Sequence, residues 1–143
     1  MIEPDHSFSY FIGLPPVLEE LPDGKMWRVH EEFEYRSKLL GLVITIPKGF
    51  VTDGASVPSL FQNIIAPWGK WGPAAIVHDY LYRWQGTTQR QADDVLLEAM
   101  RVLEVDRFRQ FAIWSAVRMF GASAWREDAK NPIHENTTAW RSQ

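Results

Sequence analysis

Residues 73–103 read PAAIVHDYLYRWQGTTQRQADDVLLEAMRVL, and the period of this stretch decides the fold. Apolar residues recur at helical spacing on both sides of a short turn, which predicts two consecutive helices. Pro73 sits where the first helical residue belongs, because its missing N–H costs nothing there. The first helix should run from Pro73 to about Gln85, with Gly86 as the residue after its end. Thr88-Gln89-Arg90-Gln91 fits a capping box and opens a second helix, to about Leu103. Asp106 can cap a third, to about Phe120, ended by Gly121. The Gly-containing turn is short, so the first two helices should pack as an antiparallel pair.

Upstream the period changes from 3.6 to 2. MWRVHEEFEY (26–35) alternates through Trp27, Val29, Phe33 and Tyr35, with a slip at Glu31-Glu32 that suits a bulge or a turn. LVITIP (42–47) is a β-branched strand closed by Pro47, and 37–41 can carry the turn between the two. Residues 1–25 are rich in turn formers, such as Pro15-Pro16 and Pro22-Asp23-Gly24. Ser56 or Ser59 can cap a short helix through Ile65, followed by the loop APWGKWGP (66–73). The expected fold class is α+β: short N-terminal antiparallel strands, then a three-helix C-terminal half with a central antiparallel helix pair. Residues 1–125 should form one domain, and the polar stretch 126–143 a loosely held tail.

The chain has 143 residues and can build a core without staples. It lacks cysteine, which excludes disulfides and thiolate metal sites and suits a reducing compartment. Net charge is -3 with no basic run, which argues against a nucleic-acid partner. No signal-peptide pattern opens the chain and no stretch is long and apolar enough to span a bilayer, so synthesis in the cytoplasm is expected. Seven Trp are several-fold above the usual share. They suit core packing, or an aromatic rim that meets a membrane or a partner.

Projected at 100° per residue, Ala75, His78, Asp79 and Tyr82 share one sector of the first helix. Its other faces are apolar, so this helix should be central, and a central His or Asp is costly unless partnered. On the second helix Asp93 falls inside the apolar arc, whereas Asp94 lies on the polar arc with Glu98 and Arg101. Asp93 should therefore face His78. A carboxylate on one imidazole nitrogen fixes the tautomer and raises the basicity of the other, which makes a dyad fit for general-base work on water. Asp79 can bind a hard cation through oxygen. The plainer alternatives stay open. A buried His–Asp bond is more often structural than catalytic, Asp79 and Arg83 have salt-bridge spacing, and Tyr82 suits the core. His6, His30 and His134 are scattered.

GFVTDGASVP (49–58) runs from strand through a Gly-rich turn to a helix start. Its backbone N–H groups can hold an anion, and Asp53 or carbonyls a cation. Equally, Asp53-Gly54 can be a plain turn and Ser56 a plain cap. The sequence carries neither a serine nucleophile elbow nor a phosphate-binding Walker loop.

GFVTDGASVP, WGPAAIVHDYLYR and QADDVLLEAM together resemble the signature blocks of a domain-of-unknown-function family of tailed bacteriophages and prophages, over roughly residues 28–125. That resemblance implies phage origin, a compact α+β domain and, as one destination, the virion. Locally, His78-Asp79-Tyr80-Leu81-Tyr82 resembles the H-D-x-x-Y helix of secreted phospholipase A-2 enzymes. The likeness implies His78 as general base, Asp79 as a calcium ligand, Tyr82 as support of the dyad and Asp93 as the residue orienting His78. The chain departs from those enzymes in having no cysteine and no clear Gly-rich calcium loop; Thr52–Ala55 and Trp68–Gly72 are the nearest candidates.

Three functions follow as expectations. The first is a hydrolase of lipid ester or of peptidoglycan, using His78, Asp93, Tyr82 and a divalent cation, calcium, on Asp79 and Asp53. The second is a non-enzymatic virion, tail or assembly protein that binds phage structural proteins. The third is a factor that binds a host protein. Oligomeric state is not legible.

Overall fold

The alternation in FEYRS and LVITI becomes a hairpin. In a computed structural model, which describes residues 8–24, 26–52, 70–133 and 137–139, β4 (Phe33–Ser37) pairs antiparallel with β5 (Leu42–Ile46), setting Tyr35 opposite Ile44. The turn between them is where 37–41 predicts it. Gly41 there has φ 65°, a left-handed conformation that suits glycine. Phe33, Tyr35, Ile44 and Ile46 all point from this hairpin into the core.

Two strands precede this region in a stretch that reads as turns. They are β1 (Tyr10–Ile12), which pairs with β4, and β2 (Leu18–Glu20), which pairs with β3 (Trp27–Val29). Strand β6 (Val51–Thr52) completes a second sheet of order β2-β3-β6. The slip at Glu31-Glu32 is thus neither a bulge nor a hairpin turn, but the point at which the chain leaves one sheet for the other.

The helices are α1 (Gly72–Trp84), α2 (Gln89–Val102), α3 (Arg107–Phe120) and α4 (Ala122–Ala129). The C-terminal half therefore holds four helices among the described residues, not three. Gly121 does end α3, but in a right-handed conformation that lets a fourth helix start at once. The described part of the stretch expected to be a loose tail supplies the end of α4 and strand β7 (Thr137–Ala139). This strand pairs with β5 to give the sheet order β1-β4-β5-β7. The expected short helix through Ile65 lies outside the described residues.

Caps form where the sequence puts them. Thr88 Oγ1 accepts from Gln91 N at 3.0 Å while Thr88 N donates to Gln91 Oε1 at 2.9 Å. Asp106 Oδ1 accepts from Arg109 N at 2.9 Å. At the end of α1 the left-handed residue is Gln85, φ 65°, rather than Gly86. Gly86 is needed for a different reason: a Cβ there would collide with the Trp84 indole.

Helix α1 is central, as its all-round apolar character predicts. It packs on α2, α4, β5 and β6, and it buries Ala74 through His78 without a break. Trp71, just before it, is only 3% exposed and belongs to the core rather than to a rim. The second tie between helices and sheet runs through Glu98. This residue is not simply solvated on the polar arc. Its Oε1 accepts from Tyr35 Oη at 2.6 Å and Ser37 Oγ at 2.9 Å, and its Oε2 from Leu39 N at 2.9 Å. Tyr35 and Ser37 are fully buried. Glu98→Ala strands their hydroxyls, and should cost about 2–3 kcal/mol, read as a fall in the urea midpoint at constant slope.

Candidate functional site

The two helix phases bring His78 and Asp93 together. His78 Nε2 lies 2.7 Å from Asp93 Oδ1, and Tyr82 Oη donates to the same oxygen at 2.7 Å. His78 is 2% exposed, Tyr82 4% and Asp93 fully buried. Tyr82 stands one helical turn beyond His78, so its ring lies against the imidazole, with centroids 4.3 Å apart.

A partner that the first two helices cannot reveal comes from α3. Arg118 Nη1 donates to Asp93 Oδ2 at 2.7 Å. One turn earlier Trp114 Nε1 donates to Asp94 Oδ1 at 3.2 Å, and Arg90 pairs with Asp94 across one turn of α2. Adjacent aspartates thus have separate roles, as their phases predict: Asp93 inward, Asp94 at the margin. The i, i+4 spacing of Trp114 and Arg118 puts both side chains on one face of α3, but does not by itself show that this face meets α2.

Gly121 closes the site from behind. A Cβ there would come 2.5 Å from Tyr82 Oη and would also meet the Val117 carbonyl. Only glycine lets the corner between α3 and α4 come this near the tyrosine. Beyond it, the Trp125 ring meets Tyr82 edge-on with centroids 5.1 Å apart.

An ionised carboxylate only accepts, so in the neutral imidazole the proton belongs on Nε2 and the lone pair on Nδ1. That Nδ1 is buried and has no hydrogen-bond partner among the described residues. A buried acceptor left unmade costs about 1–3 kcal/mol, which marks it as a functional candidate. Arg118 and Tyr82 hold the Asp93 carboxylate ready for the opposite side of the ring.

Burial alone would raise the Asp93 carboxyl, but the bonds from and charge of His78, with the bonds from Tyr82 and Arg118, bring it below 3.8. Burial, and then the bond to Asp93, push the Tyr82 hydroxyl well above its usual range. A depressed carboxyl contributes stability that is complete above its unfolded pKa and lost as pH falls toward its folded one. Wild-type stability should therefore decline below about pH 4, and Asp93→Asn should flatten that part of the curve, as measured by urea midpoints at successive pH values.

Asp79 is not part of this cluster. One residue round the helix from His78, it lines a different cleft of about 470 Å³ with Met26, Arg83, Glu127, Asp128 and Asn131. Arg83 Nη1 donates to Val51 O at 2.8 Å and its guanidinium lies over the Phe50 ring. Asp53, the other expected cation ligand, lies outside the described residues, as do most of the Gly49–Pro58 turn and Trp68. Among the described residues no three His, Asp or Glu side chains are grouped as metal ligands. A second cleft is lined by Leu14, Pro15, Leu18 and Pro73, and neither it nor the Asp79 cleft includes His78 among its lining residues.

The model of a family described as protein of unknown function (DUF1353) matches residues 27–117. The matched stretch contains His78, Tyr82 and Asp93 and stops one residue short of Arg118. No curated protein and no solved structure gives a significant match.

Proposed function

We propose that this chain, which belongs to that family of proteins of unknown function, is a hydrolase in which His78 Nδ1 is the general base. The observation that carries the reading is the buried Nδ1, unpartnered among the described residues, of an imidazole anchored through Nε2. In the proposed step Nδ1 takes a proton from water, and the oxygen attacks a carbonyl carbon. The proton then passes from Nδ1 to the leaving alcohol or amine, which restores the lone pair. Asp93 holds the tautomer and stabilises the imidazolium in between; Tyr82 and Arg118 position Asp93.

The substrate class in this reading is a lipid ester, with a peptidoglycan bond as the other candidate, in the bacteriophage setting that the sequence blocks suggest. A divalent cation, calcium in the first instance, is a separate arm of the proposal, with Asp79 and Asp53 as its carboxylates. Its support is the position of Asp79 in a cleft shared with Glu127 and Asp128.

The test is hydrolysis of phospholipid vesicles and of purified peptidoglycan by the full chain, with and without calcium, beside calorimetric titration of calcium into wild type and Asp79→Asn. Product release supports the reading. Release that needs no calcium removes the cation arm alone, and no product from either substrate sinks the hydrolase. A second reading, a non-enzymatic phage component in which the same residues lock α1, α2 and α3 together, is favoured by the depth of His78. It predicts no product and a phage that stays infectious with His78 replaced.

A further inference from the structure

Helix α3 has two apolar faces, and among the described residues one is buried and the other exposed. Ile113, Ala116 and Val117 are buried. Phe108, Phe111 and Met119 are 69%, 70% and 71% exposed. Positions 108, 111, 115 and 119 follow one another at helical spacing, so these side chains form a single outward stripe with Ala112 and Ser115 between them. The stripe is about 16 Å long. Leaving a phenylalanine in water forgoes about 1.5–3 kcal/mol, and a row of such residues marks an interaction surface.

Charge narrows the partner. The helix contains Arg107, Arg109 and Arg118 and no acidic residue. Arg107 and Arg109 flank Phe108 and project roughly 100° to either side of it. Residues 101–126 hold five arginines against Glu104 and Asp106, in a chain whose net charge is -3. Among the described residues Arg107 and Arg126 are exposed and make no ion pair. A second copy pairing through α3 would set arginines against arginines. Phe108, Phe111 and Met119 are each at least 69% exposed, so the stripe stands out as a ridge and does not line a groove for a peptide. An apolar ridge with aromatic residues on its crest and arginines beside it fits the headgroup region of an anionic bilayer. No helix among the described residues is long and apolar enough to cross one, so the contact would be peripheral.

We propose that the Phe108–Phe111–Met119 face of α3, with Arg107 beside it, docks the protein on an anionic lipid surface. Arg118, which bonds Asp93, projects from the flank of the same helix. The inference does not rest on hydrolysis: binding without turnover leaves it standing.

The experiment is co-sedimentation of the full chain with vesicles of phosphatidylglycerol and phosphatidylcholine, and with vesicles of phosphatidylcholine alone. The expected result is pelleting with the anionic vesicles that weakens with salt. Phe111→Asp should lower the partition at least about tenfold, Arg107→Glu should lower it too, and both variants should keep the wild-type circular dichroism. Failure of wild type to pellet with anionic vesicles overturns the proposal, as does equal partition of Phe111→Asp. A dimer that Phe111→Asp dissociates, without vesicle binding, assigns the face to a second copy. Tight binding of an acidic amphipathic peptide, again without vesicle binding, assigns it to a protein. Either of these results overturns the proposal.

Discussion

Asp93→Ala should lower the unfolding free energy by about 3 kcal/mol or more, within the range for breaking a buried ion pair by removing one partner. The carboxylate is fully buried and accepts from three side chains on two neighbouring helices. Its loss leaves His78 Nε2 and Tyr82 Oη as donors with nowhere to turn, since both side chains are almost inaccessible. Arg118 is 30% exposed and can swing toward water, which keeps the loss at the lower end. Asp93→Asn keeps the shape and one acceptor, and should cost about half as much. Urea midpoints with an unchanged slope would check both values. A change under about 1 kcal/mol for Asp93→Ala would show that the three bonds are not made in solution.

His78→Gln should do the opposite: slow hydrolysis about 10²–10⁴-fold while leaving stability within about 1 kcal/mol of wild type. The glutamine amide can donate to Asp93, which retains Tyr82 and Arg118, and the substitution removes the unmade acceptor at Nδ1. A purely structural histidine would give the reverse pattern, with stability lost and no rate to lose. Initial rates on whichever substrate is turned over, with urea midpoints on the same samples, separate the two roles. Asp93→Asn should also slow the reaction. Asparagine can present N–H groups to Nε2, and that would favour the proton on the wrong nitrogen.

The site was legible where it depends on helical phase. Asp93 among Ala92, Val95, Leu96 and Ala99 cannot be a surface residue, and a short turn after α1 brings it to His78. What depends on how elements cross was not legible. Arg118 reaches Asp93 only because α3 lies along α2, and Glu98 leaves the polar arc only because the β4–β5 hairpin covers it. Asp79 shares a sector with His78 on paper, yet 100° of rotation carries it to a different wall. Strands β1, β2 and β7 have three residues each, too few for a period of two to stand out from turns. Helix α4 was hidden because Gly121 reads as a stop, and the close approach of the Val117 carbonyl and of Tyr82 explains why glycine is there.

The most direct test of the central claim, a lone pair on His78 Nδ1 that substrate water must reach although the ring is only 2% exposed, is alkylation of the folded full-length chain by a small bromoketone, mapped by mass spectrometry. His30, which is exposed, is the internal control. The account predicts alkylation of His78 at Nδ1 under native conditions, slowed by Asp93→Asn. Modification of His30 with His78 untouched until the protein is denatured would contradict it.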